Sequence, residues 1–312
     1  MSGCKYLTVW EAEDDMASLR DIKLRIRAVK NISQITQAMK MVAAAKLRRV
    51  QERVEKGKPY SATMAEMVGM LAPNVHEFSH PLLATRPVNR VGVIVIAADK
   101  GLCGSYNTNV LRLAQTFVNR QVAEHGADSV RLLTVGRKAG DYFRRRAYNV
   151  DASFPSLGDK GGYEAVRQIS NAVTGMFLSG GVDEVHMIYT EFRSVISQKP
   201  LAIKFLPIEP PAGDESATPE SGAGGRSDFI FEPAIPELLG ALLPRFVETR
   251  VYQLLLEGVA SEFGARMSAM TSATKNADEQ AQELTLQFNR TRQANITKEL
   301  LDIVGGAEAL NG

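Results

Sequence analysis

The chain has 312 residues, with 45% hydrophobic and 23% charged side chains, the balance of an ordinary folded protein and not of a disordered one. Mean hydropathy is −0.12, and no apolar run approaches the roughly 20 residues of a membrane span, which excludes an integral helical membrane protein. Two cysteines, Cys4 and Cys103, and four histidines leave no CxxC pair and no zinc cluster, so neither a metal nor a cofactor is expected. So few cysteines fit a reducing compartment.

The net charge of +2 conceals an asymmetry. Residues 17–58 hold twelve Lys or Arg against three acids, a net +9, whereas residues 236–310 hold seven bases against ten acids, a net −3. Such segments can attract each other or face different acidic partners. The overall balance is too even for a dedicated nucleic-acid binder.

In chain order, residues 1–16 read as an extension, too acidic for a transit peptide and without the apolar core of a secretory signal. Met16 reads as the biological start. Ser18 is the expected N-cap of a first helix. Behind it, Leu19, Ile22, Ile26, Val29, Ile32, Ile35, Met39, Val42, Val50 and Val54 recur in steps of three and four, one face of a helix. With a possible kink at Gly57-Lys58-Pro59 the pattern runs to Leu71, a span of roughly 80 Å at 1.5 Å per residue. The last helix is expected over 236–312. Its proline-free stretch 245–304 alone would span roughly 90 Å. Within it the small residues of Gly264–Ala277 should let a partner backbone approach closely. Two such helices, far apart in sequence, are expected to pair as an antiparallel coiled coil.

Between them, residues 88–209 read as a doubly wound α/β domain. Strands are expected at 91–97, 131–135 and 183–190, with a strand or hairpin over 192–208, and helices at 110–125, 137–146 and 164–178. The turn Asp99–Asn107 (DKGLCGSYN) follows the first strand, but it makes neither a G-x-x-x-x-G-K-[ST] nor a G-x-G-x-x-G pattern. A tight structural turn is the stronger reading, and no residue is placed to make Cys103 a nucleophile. Residues 210–235 read as a solvated loop followed by a short apolar strip.

Three stretches carry a resemblance: SLRDIKLRIRAVKNISQITQAMKMVAAAKLRRVQ, ADKGLCGSYN and the polar C-terminal run ARMSAMTSATKNADEQAQELTLQFNRTRQANITKELLDIVGGAEAL. Together they closely resemble the gamma subunit of the F-type ATP synthase, over nearly all of 16–310. That resemblance implies a non-catalytic central stalk, with the terminal helices as a rotating shaft inside a ring of alternating alpha and beta subunits. The α/β domain would be its foot, meeting the epsilon subunit and the membrane rotor ring of c subunits, with no nucleic acid bound. Rotation of the ring of c subunits, driven by protons, would be coupled to ATP synthesis, or the reverse. By the same resemblance Arg292, Gln293, Thr297 and Asp302 fall at contacts with the alpha/beta ring. Arg266 and Met39 fall where the two helices face each other and the ring's acidic lever segments. Phe229, Phe231 and Glu232 fall on a strip that meets epsilon or the rotor ring, or that simply packs at a sheet edge. The plastid-type regulatory cysteine pair is absent, so thiol control is not expected, and the cytoplasmic face of a bacterial plasma membrane is the implied location. Two other readings compete: a nucleotide-dependent enzyme built on the α/β domain, and a static coiled-coil scaffold.

Overall fold

The computed structural model of the chain describes the backbone of residues 7–71, 80–158, 162–209 and 235–311. Two compact units emerge. One combines the first helix up to Val42 with the last helix from Ala269 onward, and the other is Ala43–Ser268. The division follows packing and not helix ends, because α1 (Leu7–Leu71) and α5 (Ile235–Asn311) each contribute to both. Helix α1 begins at Leu7, so Ser18 is a helix-interior residue and not the expected N-cap. Pro59 and Pro244 both lie inside continuous helices.

In the larger unit, β1 (Val91–Ile96), β2 (Val130–Val135), β3 (Val150–Phe154), β4 (Glu184–Phe192) and β5 (Gln198–Leu206) form one sheet in the order β3-β2-β1-β4-β5. The first four are parallel, with Val91 opposite Val130 and Glu184, and β5 returns antiparallel to β4. Every residue of β1 is buried, as a strand covered on both faces requires. Val91, Val93 and Val95 pack with α2 (Tyr106–His125) and α3 (Arg137–Arg144). Ile94 and Ile96 pack into the other core, with α4 (Tyr163–Leu178) and with the parts of α1 and α5 in this unit. Fully burying Phe143 on the first face and Phe177 on the second contributes about 2–3 kcal/mol each.

Strand β3 was not expected from the sequence, because VDASF is short and polar, an edge strand held by its neighbour's hydrogen bonds more than by burial. Helix α2 begins at Tyr106, four residues earlier than the apolar spacing indicates. At the β2–α3 turn Gly136 has φ 92°, and a Cβ there would lie 2.1 Å from the Ala97 carbonyl oxygen, so no other residue fits.

The smaller unit is a two-helix pair. Thr36 Oγ1 and Thr274 Oγ1 are 2.7 Å apart, and Ser33 Oγ donates to Asp278 Oδ1 at 2.6 Å. Val29 packs with Ala277, Ala281 and Leu284. Rising numbers on α1 thus meet falling numbers on α5, and the pair is antiparallel. The buried positions Ile22, Val29 and Thr36 recur every seven residues, and so do Met270 and Ala277, the repeat of a coiled coil. From Ile32 onward the expected apolar face of α1 departs from this seam. Ile32, Ile35 and Val42 are 52%, 59% and 55% exposed, while Ser33 and Thr36 sit against the partner helix.

Candidate functional site

Two places organise the chemistry, one in each unit. In the larger unit the turn after β1 docks on α5. The Asp99 carboxylate accepts the backbone N–H groups of Arg137 at 2.9 Å and Ser156 at 3.2 Å. The Asn107 side chain accepts from Ala98 N–H at 3.0 Å and donates to the Lys100 carbonyl and to Cys103 Sγ. These polar groups are consumed in shaping the turn, as its structural reading expects. Across from it, Arg266 Nη1 meets Glu262 Oε1 at 2.7 Å and Arg266 Nη2 donates to the Gly101 carbonyl at 3.1 Å. Both side chains of the pair are about nine-tenths buried.

Burial pushes the Glu262 carboxyl above the usual carboxylate range, with the Arg266 guanidinium opposing the shift. Burial also raises the Cys103 thiol and drives the Tyr106 phenol well up, so both stay protonated at neutral pH. This buried, protonated thiol, which accepts from Asn107, is a packing group in a small cluster with Ala98, Tyr106 and Ala265.

Small residues of α5 make this docking possible. A Cβ on Gly258 would lie 3.1 Å from Ile96 Cγ2, and one on Gly264 would lie 3.0 Å from the Phe192 ring. Between them Ser261 Oγ donates to the Thr190 carbonyl at 2.8 Å. The expectation that Gly264 serves close helix–helix approach is therefore corrected: it lets α5 approach the sheet, and Ala277 and Ala281 serve the helix pair.

In the smaller unit the surface is the feature. Arg292, Gln293, Thr297 and Asp302 are all solvent-exposed on α5. Met39 is half-buried on α1. Arg266 belongs to the other unit, where its guanidinium is spent on Glu262 and Gly101. Phe229, Phe231 and Glu232 lie outside the described residues. Sequence reading overlooked Glu262, although an acid four residues before an arginine in the otherwise small and apolar run VASEFGARM was a visible signal.

What the sequence did not show is how much apolar surface this helix pair leaves open. Leu24, Ile32, Ile35, Met41 and Val42 on α1 are each more than half exposed. So are Leu286, Leu300, Leu301, Ile303 and Val304 on α5. Their basic neighbours Arg20, Lys23, Arg25, Arg27 and Lys30 also face solvent. Among the described residues no cluster could hold a metal, and no helix is long and apolar enough to cross a membrane.

A helix pair with an unburied apolar surface, joined in sequence to an α/β domain, defines a two-unit chain of the coiled-coil plus α/β class. The family model described as ATP synthase matches residues 18–310. The chain is 50% identical to the ATP synthase gamma chain of Desulfitobacterium hafniense and 47% identical to that of an Anaeromyxobacter species, with 95% of this chain and all of each relative covered. Its fold is similar to that of a chain in the Euglena gracilis mitochondrial ATP synthase, with a TM-score of 0.61 at 20% identity over 94% of this chain and 95% of that one. A chain in the central stalk and c-ring structure of the Tetrahymena thermophila enzyme gives 0.58 at 23% identity, over 77% of this chain and 99% of that one. The chain belongs to the ATP synthase gamma chain family.

Proposed function

We propose that this chain is the non-catalytic rotating shaft of its ATP synthase, with the helix pair turning inside a ring of alternating alpha and beta subunits. One observation carries the reading: the helix pair buries a thin seam of small and hydroxylated residues and leaves large apolar side chains exposed on both helices. Such a surface is incomplete in isolation. Apolar contacts are non-directional, so a ring closing around it can hold the shaft while presenting low barriers to its turning.

Arg292, Gln293, Thr297 and Asp302 add a few polar contacts that form in some angular positions and break in others, and Met39 lies on the opposing helix. Arg266 can join a ring contact only by loosening its hold on Glu262 and Gly101. The shaft has no threefold symmetry, so each ring site meets a different face and takes a different affinity for nucleotide. By linkage, hydrolysis in the ring then biases the shaft's position, and forced rotation biases synthesis. The α/β unit is the foot. Through Phe229, Phe231 and Glu232 it meets the epsilon subunit or the c ring, at the cytoplasmic face of a bacterial plasma membrane.

The test is to coexpress the tagged chain with its alpha and beta subunits and to follow a bead on the α/β unit. Comigration of all three with ATP-driven rotation is expected. A chain that elutes alone, or a ring that hydrolyses ATP without turning it, would overturn the reading.

A further inference from the structure

The α2–α3 side of the α/β unit carries a second feature that the shaft role does not use. A groove of roughly 420 Å³ opens between these helices. Four cations line it, Arg112 from α2, Lys138 and Arg145 from α3 and the turn that ends it, and Arg146 just beyond, against the single carboxylate of Asp141. The side chains of Arg112, Lys138 and Arg145 are exposed and make no hydrogen bond or ion pair with any described residue. Asp141 stands three residues after Lys138 and four before Arg145, the spacing at which helix ion pairs form, yet it pairs with neither. Elsewhere on the surface such pairs do close, as in Arg120–Glu124 and Arg48–Glu52.

The groove's floor is preorganised. The Arg146 guanidinium stacks 3.7 Å from the centre of the Tyr142 ring and donates to the Tyr142 carbonyl at 3.2 Å. Tyr142 in turn donates its hydroxyl to Gln115 on α2 at 2.5 Å, tying the two helices across the groove. Thr108, in the first turn of the 20-residue helix α2, also lines the groove, so the positive end of that helix adds to the field. Like charges gathered from two helices repel one another, and a bound oxyanion relieves that repulsion. Planar guanidinium forks suit phosphate oxygens in pairs.

We propose that the α2–α3 groove is a binding site for a phosphate-class oxyanion, one or two phosphate groups in size, held by Arg112, Lys138 and Arg145. Free phosphate compounds and anionic lipid headgroups share this chemistry. The groups are exposed, so binding weakens steeply with salt.

The test uses the full-length chain, titrated calorimetrically with pyrophosphate at low ionic strength, and sedimented with phosphatidylglycerol or phosphatidylcholine vesicles. Arg112→Gln with Arg145→Gln should weaken binding at least tenfold, and Asp141→Asn should tighten it several-fold, with unchanged circular dichroism and melting because all three side chains are exposed. Saturable pyrophosphate binding that follows these variants supports the site with a free ligand. Binding to phosphatidylglycerol alone that follows them supports it with a headgroup. No binding to either probe overturns the proposal. So does binding indifferent to the variants, which would move the anion to another basic surface such as residues 17–58.

Discussion

Glu262 is a carboxylate placed where water scarcely reaches, and Arg266 is the neighbour that does most to hold its charge there. Arg266 lies 2.7 Å away and also secures the Gly101 carbonyl, so a single guanidinium neutralises α5 and ties down the turn after β1. Removing it leaves a buried carboxylate without its nearest counter-ion. Arg266→Ala should destabilise the chain by about 3 kcal/mol at neutral pH, read by urea unfolding. Burial already holds the Glu262 carboxyl above its ordinary range, with Asp99 reinforcing the shift and Lys46 opposing it. For an acid whose folded pKa is raised, the folded state binds the proton more tightly, so stability falls as pH rises through the window between the ordinary and the raised value. Losing Arg266 widens that window. The deficit of Arg266→Ala should therefore shrink as pH is lowered from 7 toward 5, and an equal deficit at both values would show that the pair is not what the site depends on. At the other end of α5, Arg292 and Gln293 are exposed, and their side chains make no hydrogen bond or ion pair with a described residue. Arg292→Ala with Gln293→Ala is expected to lower ATP turnover of the purified complex while subunit stoichiometry stays intact. Full turnover would make the pair an ordinary solvated face.

At the scale of the element, the helix pair sets its own spacing. Thr36 and Thr274 bridge the seam with a hydroxyl contact, and Ala277 and Ala281 keep the backbones close. Thr274 also donates to the Met270 carbonyl, so its hydroxyl is served without the partner. Replacing both threonines by valine keeps the volume and removes both polar groups together, and stability should change by less than about 1 kcal/mol. Ala277→Leu instead forces a large side chain into a seam where Ala277 is only 6% exposed. It should cost about 1–3 kcal/mol. Thermal unfolding of both variants decides whether seam width or seam polarity matters, and a larger loss in the valine pair would reverse the order proposed here. By widening the shaft, Ala277→Leu should also slow turnover in the assembled complex.

For the whole molecule, the first sixteen residues are the natural place to ask what is dispensable. The family match starts at residue 18, although α1 begins at Leu7. Deleting residues 1–15 removes helical backbone but no part of the matched region. The shortened chain should assemble with its ring and support the same turnover, checked by gel filtration and an ATPase assay. Loss of the assembled complex would make this first stretch of α1 structural.

The long helices, the buried strand VGVIVI, the antiparallel pairing and the family were all legible in the sequence, because they rest on local periodicity and on polar residues that a bare helix would not require. Other features were decided by tertiary contact alone. Strand β3 has no apolar signature of its own and exists because β2 offers it hydrogen bonds. Ile32, Ile35 and Val42 share a helix face with Val29 by spacing, yet a partner built of alanine and threonine takes Ser33 and Thr36 into the seam and leaves the larger side chains outside. Gly264 reads as a small residue for another helix until the Phe192 ring of the sheet fills the space above it. The assignment of Arg292, Gln293, Thr297 and Asp302 to a ring contact came from the resemblance alone, and the fold adds only that they are exposed. Periodicity reports which side of an element is apolar, but which neighbour covers it depends on the volume of side chains far away in sequence.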